Sequence, residues 1–347
     1  MNQTTDETLF DNRDGIAVIT LNRPQALNAL TMGMVDALYE QMGAWATDDS
    51  VRAVVIRGAG DRAFCAGGDV VAVAESRKDP GNTLREDFFR TEYRMNRLIH
   101  HFPKPYIALM HGVVMGGGVG LSVHGHCRFV TEQTLLAMPE TGIGLFPDVG
   151  GSHFLPRCPG AIGMYLALTG ARLNAADCLY AGIADSLIPV AEHDALIADL
   201  RGGADLDTAF AARAIEAGPS TLEAEREVID RCFSKDTVEE IEAALAAEGT
   251  DWSARMLHHM AGKSPVSQKI SMRQLREGAA MDFDACMVME YRLSQHCMAA
   301  NDFFEGVRAL LVDKDKNPQW QPATLGEVSE DLVAGYFAPL GDKELTF

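Results

Sequence analysis

Short runs rich in valine and isoleucine alternate with stretches of helical periodicity in the first third of the chain. This alternation constrains the fold more than any other feature. The runs cover residues 15–22, 51–58 and 105–112, and each is bounded by Gly, Asn or Pro, as buried strands are. Two helical patterns lie between them, at residues 31–46 and 84–102. A strand–helix–strand order of this kind favours an α/β fold.

The composition changes near residue 203. Gly and Asp cluster in the sequence RGGAD at residues 201–205, and an Ala/Glu-rich sequence of helical character follows. A chain of 347 residues is long enough for a large core with a second region attached. We therefore divide the chain into a main α/β region, residues 1–203, and a helical C-terminal region, residues 204–347.

The charge and hydropathy of the chain exclude several classes of protein. The formal net charge of −19 argues against general affinity for nucleic acid or anionic lipid. A ligand that carries phosphate must therefore be met by local Lys or Arg residues or by backbone amides. No apolar run approaches the length of a membrane span. We expect neither nucleic acid nor a membrane as a partner.

The cysteines predict a reducing compartment. There are seven of them, an odd number, and none forms a C-x-x-C pair. The first ten residues show neither a basic segment before an apolar core nor an Arg-rich amphipathic stretch, which are the signals for secretion and organelle import. The expectation from these observations is a cytoplasmic protein.

Three carboxyl groups are candidates for chemistry. Glu140 and Asp148 share one apolar and glycine-rich segment, where partial desolvation would raise the carboxyl pKa and make a useful base, acid or nucleophile. A turn-forming role is the alternative for Asp148, because a valine and two glycines follow it. Glu92 lies on the apolar stripe of the second helical pattern. A structural pairing with Arg94 or Arg128 and a role in ligand binding are both open for Glu92.

Two glycine-rich segments follow predicted strands, AGGD at residues 66–69 and MGGGVG at residues 115–120. Glycine lets backbone N–H groups approach a ligand, and a helix is predicted from Gly117 to residue 124. Two such N–H groups that converge on one oxygen form an oxyanion hole. Close packing of a helix on a strand is the alternative explanation for the glycine triplet.

Other known motifs are missing from the sequence. The dinucleotide pattern G-x-G-x-x-G fails, because Leu121 and Val123 occupy the positions that require glycine, and the P-loop pattern does not occur. Ser122 does not lie in a G-x-S-x-G sequence, so a serine hydrolase is not indicated. There is no H-E-x-x-H and no close set of Cys and His ligands. We therefore expect no metal site.

Several motifs together resemble the enoyl-CoA hydratase/isomerase (crotonase) superfamily. They are LNRP and NA at residues 21–24 and 28–29, FCAGGD at residues 64–69, and HG and GGG at residues 111–112 and 116–118. Further segments resemble the hydrolase branch of that superfamily, and these are residues 88–93, 116–125, 138–140, 144–151, 290–295, 302–309 and 313–315. The resemblance covers most of the chain and is weakest from residue 204 to about residue 253.

The resemblance implies a crotonase-like spiral of ββα units that binds an acyl-CoA, followed by the helical C-terminal region. CoA would be part of the substrate, and no cofactor is implied. The backbone N–H groups of Gly68 and Gly117 would hold the thioester oxygen. The loop residues Gln25, Ala26 and Leu27 would contact the substrate, and Arg23 with other local bases would attract the CoA phosphates.

The acids also match. Glu140 corresponds to the second acidic position of the superfamily, and the hydrolase branch adds an acid at Asp148 and a substrate-contacting acid at Glu92. The resemblance therefore implies hydrolysis of the thioester of 3-hydroxyisobutyryl-CoA, or of a similar short β-hydroxyacyl-CoA, to the free acid and CoA in valine degradation. Glu140 would attack the carbonyl or activate water, and Asp148 would orient the acyl hydroxyl or the attacking water.

Two alternatives stay open. The first catalytic Glu of the hydratases corresponds to Gly120 here, which argues against simple hydration. A hydratase or isomerase of the same fold that works with Glu140 alone is nevertheless one alternative. The other is a non-catalytic protein that binds acyl-CoA. The resemblance also allows a homo-oligomer, although the C-terminal region could cover the surface that other members use for assembly.

Overall fold

The computed structural model describes residues 6–347, and within them it contains nine β-strands and sixteen α-helices. The strands are β1 Thr8–Arg13, β2 Ile16–Leu21, β3 Ala53–Gly58, β4 Ala63–Cys65, β5 Tyr106–Met110, β6 Val113–Met115, β7 Cys127–Val130, β8 Leu135–Ala137 and β9 Ser186–Leu187. The helices are α1 Met32–Thr47, α2 Val70–Glu75, α3 Leu84–His100, α4 Gly117–Gly120, α5 Gly151–Phe154, α6 Ile162–Thr169, α7 Ala175–Tyr180, α8 His193–Arg201, α9 Leu206–Ala211, α10 Thr221–Phe233, α11 Val238–Glu248, α12 Asp251–Ala261, α13 Pro265–Gly278, α14 Phe283–Ala299, α15 Asp302–Val307 and α16 Glu330–Tyr336.

The chain divides into two compact units, and each is assembled from separate stretches of sequence. Unit 1 contains residues 6–68, 94–137 and 172–223, and unit 2 contains residues 69–93, 138–171 and 224–347. The boundary that the composition suggests between residues 203 and 204 falls inside the last stretch of unit 1. That division stays a prediction, whereas the helical character expected beyond residue 206 is observed in α9 to α15.

Unit 1 holds all nine strands, arranged in two sheets. The larger sheet has the order β1-β2-β3-β5-β7-β9, and the smaller has the order β4-β6-β8. Only β1 and β2 pair in antiparallel fashion, and the other pairs are parallel. Each successive pair along the chain, β3 with β4, β5 with β6 and β7 with β8, gives one strand to each sheet. Repetition of this two-strand step, with helices between the steps, is the ββα spiral that the resemblance implies.

The sequences of the central strands follow from their position in the large sheet. Every residue of β5 is buried, as are the first four of β3, because an inner strand of a parallel sheet is covered on both faces. On one face, Val18, Val55 and Ile107 pack in a single apolar cluster with Leu196 and Leu200 of α8. The valine and isoleucine runs are continuous rather than alternating for this reason, and the predicted bounds agree with the observed bounds within two residues.

The glycine triplet is explained in part by close packing. A Cβ added at Gly118 would lie 2.3 Å from the carbonyl oxygen of Cys65, so the middle glycine lets α4 approach the end of β4. The predicted helix from residue 117 to 124 is wrong in its length, because α4 ends at Gly120 and the chain continues as turns. In those turns the Ser122 N–H donates to Val119 O, a bond one residue shorter than that of an α-helix.

None of the helices described within residues 6–347 combines the length and the apolar character needed to cross a membrane.

Replacement of Gly118 by alanine should destabilise the protein. The added methyl group would meet backbone atoms of Cys65, which cannot move without disturbing β4, so we expect the free energy of unfolding to fall by roughly 1–3 kcal/mol. Denaturation in urea would measure the change. Gly262→Ala is the control, because a Cβ there meets nothing within 4 Å. Equal stability of the two variants would contradict the packing explanation.

Candidate active site

Glu140 begins a short 3-10 helix, Glu140–Ile143, and Pro139 occupies the position before it. Its side chain is buried, and Oε2 has no hydrogen-bond partner within residues 6–347. Burial, and then the nearby charge of Asp148, raise the pKa of Glu140 well above its usual value, while a backbone hydrogen bond and Lys263 act in the opposite direction. Glu140 is therefore a desolvated carboxyl group with one oxygen available for a ligand.

Asp148 lies in the segment that leads into α5, and its side chain is buried. Tyr93 Oη donates a hydrogen bond of 2.8 Å to Asp148 Oδ2. Burial raises the pKa of Asp148 to about 7, although the Tyr93 hydrogen bond lowers it. The turn-forming alternative holds for the backbone, because the Gly151 N–H donates to Asp148 O at 2.8 Å. The carboxylate, however, accepts from Tyr93 and is held in unit 2 as a buried ionisable group.

Glu92 on α3 is 2% exposed, and its Oε1 has no hydrogen-bond partner in the described part of the chain. Burial raises the pKa of Glu92 well above the usual value, and the charges of Asp148, Glu140 and Glu290 raise it further. No arginine among residues 6–347 forms an ion pair with Glu92. Arg128 pairs instead with Asp185 at 2.5 Å. The structural pairing with an arginine is therefore excluded within these residues.

Glu290 on α14 is a further acid of this group that the sequence analysis did not select. Its Oε2 accepts from the Gly150 N–H at 2.8 Å, and its Oε1 accepts from the Ser152 N–H at 2.9 Å and from Ser152 Oγ. Burial raises the pKa of Glu290 to about 8, and these hydrogen bonds oppose that rise. Glu290 lies on a buried helical stripe with Met287 and Ser294. The rule that selected Glu92, a carboxylate on an apolar stripe, would have found it.

Lys263 is the cation whose charge lowers the pKa of Glu140. No pattern in the sequence around residue 263 indicated that this lysine lies near Glu140. A Cβ at Gly142 would lie 3.3 Å from Lys263 Nζ, and one at Gly170 would lie 3.1 Å from it. The two glycines therefore leave room for the ammonium group. Burial lowers the pKa of Lys263, and the charge of Glu140 raises it. Lys263 partly balances the negative charge that Glu140 would carry.

We call Glu92, Glu140, Asp148 and Glu290 the acid cluster. All four belong to unit 2, and each is buried. Like charges brought together in a site of low polarity cannot all ionise near neutral pH, so protons are shared among the members and the titration belongs to the group. Such a cluster can hold a proton donor and a proton acceptor at the same pH.

The predicted oxyanion donors lie in unit 1. A Cβ added at Gly67, whose φ is +107°, would lie 3.6 Å from Gly117 N, so the segments that carry Gly68 and Gly117 are neighbours. Gly117 begins α4, where the first N–H groups have no acceptor inside the helix. No hydrogen bond from the N–H of Gly68 or Gly117 is found within residues 6–347. Both groups are available to an oxygen atom of a ligand.

The predicted substrate loop adjoins the Gly68 segment. Gln25 and Ala26 lie in the 3-10 turn Pro24–Ala26, and Leu27 follows with a φ of +53°. The Ala66 N–H donates to Leu27 O at 3.0 Å, which ties the loop to the glycine segment. Arg23, expected to attract phosphate, donates from Nη1 to Ala29 O at 2.6 Å and pairs with Glu7 at 3.1 Å. The guanidinium of Arg23 is therefore already paired with a carboxylate of unit 1.

Within the described residues, no three His, Cys, Asp or Glu side chains are placed so that they could hold a metal ion. All seven cysteines are free thiols. The absence of a cofactor stays a prediction.

The sequence matches the family model described as enoyl-CoA hydratase/isomerase over residues 16–337. Among curated proteins it is 46% identical to the "3-hydroxyisobutyryl-CoA hydrolase, mitochondrial" of Danio rerio, covering 98% of this chain and 91% of that protein. It is 44% identical to the protein of the same name from Homo sapiens, covering 99% and 91%. The resemblance found in the sequence motifs is confirmed.

Two solved structures are similar over nearly the whole chain. The first is a carnitinyl-CoA dehydratase from Mycobacterium thermoresistibile, with a TM-score of 0.94, 43% identity and 99% of each chain covered. The second is an enoyl-CoA hydratase from Rhodobacter sphaeroides 2.4.1, with a TM-score of 0.93, 40% identity and 98% of this chain and 100% of that chain covered. The predicted α/β class with a crotonase-like spiral is confirmed by these neighbours.

The expectation of a cytoplasmic protein is wrong in view of these relatives, because the curated proteins from Danio rerio and Homo sapiens are named as mitochondrial. Reduced cysteines indicate a reducing compartment, but they do not distinguish one such compartment from another. The cysteine pattern therefore gave no ground for choosing the cytoplasm.

Replacement of Asp148 by asparagine should stabilise the protein, and more so at pH 8 than at pH 5. The pKa of Asp148 is raised by burial to about 7, so its contribution to stability is fully present below pH 4 and is lost as the pH rises through 7. Asparagine avoids this loss and still accepts from Tyr93, so we expect a gain of about 1–3 kcal/mol at pH 8. Urea denaturation at both pH values would measure it.

Asp236→Asn is the matched control, because its side chain is 96% exposed. We expect that control to show no difference between the two pH values. A gain for Asp148→Asn that is equal at pH 5 and pH 8 would show that burial of the charge is not its cause.

Proposed function

The chain belongs to the enoyl-CoA hydratase/isomerase family, and on that premise we propose that it hydrolyses the thioester of 3-hydroxyisobutyryl-CoA, or of a similar short β-hydroxyacyl-CoA, to the free acid and CoA. The observation that carries the proposal is the acid cluster, in which Glu140 and Glu92 each keep a buried oxygen without a partner in the described residues. Buried polar atoms are costly unless a ligand satisfies them. The names of the curated relatives support the choice of substrate.

A thioester is a substrate that suits backbone N–H donors and buried carboxyl groups. The thiolate of CoA leaves easily, so the main task of the protein is to stabilise the negative charge that develops on the carbonyl oxygen. The N–H groups of Gly68 and Gly117 would supply this stabilisation, and loss of one such donor costs about 3 kcal/mol in comparable sites. Backbone donors of this kind are fixed before the reaction and need no reorganisation.

Glu140 would supply the attacking group in one of two ways. As a nucleophile, its carboxylate would add to the thioester carbonyl, the C–S bond would break and CoA would leave as the thiolate. Water would then hydrolyse the anhydride to the free acid and restore the Glu140 carboxylate. As a general base, it would remove a proton from the attacking water. Both roles require the ionised form of Glu140, which Lys263 favours. Asp148, oriented by Tyr93, would position the acyl hydroxyl or the attacking water.

Glu92 would contact the substrate. Its Oε1 is buried without a partner in the described residues and can accept a hydrogen bond from the β-hydroxyl group of the acyl chain. The loop residues Gln25, Ala26 and Leu27 would contact the CoA portion. CoA enters as part of the substrate and no cofactor is required in this proposal. A role in valine degradation, which the resemblance implies, is part of this proposal, and the substrate in the names of the curated relatives supports it. A homo-oligomer, and the absence of nucleic-acid and membrane partners, stay predictions.

A hydratase or isomerase is the second candidate, because the two similar solved structures are named a dehydratase and a hydratase. The sequence at position 120 weighs against it. The resemblance assigns the first catalytic Glu of the hydratases to this position, and the residue here is Gly120, a buried glycine of α4. A residue without a side chain can neither donate nor accept the proton that hydration needs.

The two candidates give opposite results with two substrates. Purified protein given 3-hydroxyisobutyryl-CoA should release free thiol, and the same protein given crotonyl-CoA should leave the enoyl absorbance unchanged. A thiol reagent and ultraviolet absorbance would measure the two reactions. Loss of enoyl absorbance without thiol release would establish the hydratase and overturn the proposal. Binding of intact thioester with neither reaction would leave the non-catalytic alternative.

Replacement of Glu140 by glutamine should abolish turnover and leave binding of the CoA thioester intact. Glutamine keeps the shape of the side chain but cannot ionise, so we expect kcat to fall by about 10²–10⁴-fold. Thiol release would measure kcat, and calorimetric titration would measure binding. Glu277→Gln is the control, because Glu277 is a half-buried partner of Arg273 on α13 and is not a member of the acid cluster. A Glu140→Gln protein with full turnover would remove Glu140 from the mechanism.

A further inference from the structure

The backbone next to Asp148 adopts an unfavourable conformation. Val149 has a φ of +50° and Gly150 has a φ of +91°. A positive φ is costly for a β-branched residue such as valine, because its Cβ substituents crowd the backbone. Such a conformation persists only where the surrounding contacts hold it, and it is common at functional sites.

Glu290 provides those contacts. Its two carboxylate oxygens accept from the N–H groups of Gly150 and Ser152 and from Ser152 Oγ. Gly150 and Glu290 are 140 residues apart in sequence, so these bonds attach the segment after Asp148 to α14. The N–H groups at the start of α5 normally need a cap from the residue before the helix. Gly150 occupies that position without a side chain, and Glu290 supplies the cap from elsewhere in unit 2.

Contacts on the other side of Asp148 complete the anchoring. Gln274 Nε2 on α13 donates to Pro147 O at 2.6 Å, and Tyr93 Oη donates to Asp148 Oδ2. The ring of Tyr93 packs edge to face on Tyr291, with 6.4 Å between ring centroids. Since Tyr291 directly follows Glu290, α14 supports both the backbone of this segment and the hydrogen-bond donor to its carboxylate.

A carboxylate is a costly choice for this cap. Glu290 is fully buried and is repelled by the charge of Asp148. At a φ of +91° residue 150 cannot be the usual serine, asparagine or aspartate cap, so the cap must come from another element, and a neutral acceptor there would need no buried charge. A stability role alone does not account for this choice, whereas a need to fix the segment rigidly from two directions does.

We propose that Glu290 is a positioning residue for thioester hydrolysis. Its carboxylate holds the segment 148–152 through Gly150 and Ser152, so that the Asp148 carboxylate keeps the position it needs for the reaction. The catalytic part of this inference rests on the proposed function. Glu290 acts through Asp148 and is not itself a catalytic residue. The effect of changing Glu290 should therefore depend on whether Asp148 is present.

A double-mutant cycle tests this dependence. Glu290→Gln replaces one acceptor oxygen by an NH₂ group that faces an N–H donor, so the segment should shift and kcat should fall by roughly 10²-fold with little change in KM. In an Asp148→Asn background the same substitution should cause almost no further loss. Equal losses of kcat in both backgrounds would show a general structural effect and would overturn the proposal, as would a Glu290→Gln protein with normal kcat.

Ser152→Ala is the second variant in the cycle, in case Glu290→Gln does not fold. It removes only the hydroxyl donor and keeps both N–H bonds, so we expect a smaller loss of kcat that also disappears with Asp148→Asn. Glu277→Gln is again the matched control, and its kcat should be unchanged in both backgrounds. An effect of Ser152→Ala that persists at the same size without Asp148 would contradict the inference.

Amide hydrogen exchange tests, without relying on activity, whether Glu290 holds the segment 148–152. The N–H groups of Gly150 and Ser152 should exchange more rapidly in Glu290→Gln than in the wild-type protein, while amides in α13 should be unaffected. Unchanged exchange at these two amides would show that Glu290 does not hold the segment and would overturn the proposal. A wild-type protein that releases no thiol would instead disprove the proposed function, and the exchange result would still decide whether Glu290 holds the segment.

Discussion

The burial of four like-charged groups in unit 2 is the constraint on which the rest of this site depends. Each carboxyl of the acid cluster loses the solvation it would have in water, and the charge of Asp148 raises the cost of ionising the other three. The surrounding residues offset the cost of burying a charge to a different extent for each carboxyl. Glu290 receives three hydrogen bonds, Asp148 receives one from Tyr93, and Glu140 has the more distant charge of Lys263. These unequal environments allow chemically similar groups to take different roles, because partners and burial, rather than residue type, set each protonation state.

Sequence patterns predicted the parts of this site that local structure determines. Glu92 was recognised because a charged residue on an apolar helical stripe needs a partner, and the structure shows it buried. The same pattern surrounds Glu290. Tyr93 and Lys263 could not be recognised in this way. The partner of Tyr93 is 55 residues away, and the space for Lys263 depends on the absence of side chains at Gly142 and Gly170. Contacts of this kind are set by tertiary packing and have no periodic trace in the sequence.

The fold, too, could be predicted from the sequence only where local patterns mark its elements. The strands β2, β3 and β5 were predicted because inner strands of a parallel sheet give continuous apolar runs. β4 and β6 have three residues each and adjoin glycine segments, so neither periodicity nor composition marks them. These short strands nevertheless place the glycines from which the Gly68 and Gly117 N–H groups project.

Unit 1 and unit 2 therefore carry different kinds of information about function. The proposed oxyanion donors of unit 1 are backbone groups, which a family member can keep whatever reaction it performs. The solved dehydratase is 43% identical to this chain, and the curated hydrolase of Danio rerio is 46% identical, so overall similarity does not separate the two activities. The side chains of this chain favour hydrolysis over hydration. A hydratase needs an acid where this chain has Gly120, whereas hydrolysis can use Glu140 and Asp148, both buried beside groups that tune them. The assignment to a hydrolase depends on this set of acids, because the same backbone could support either reaction.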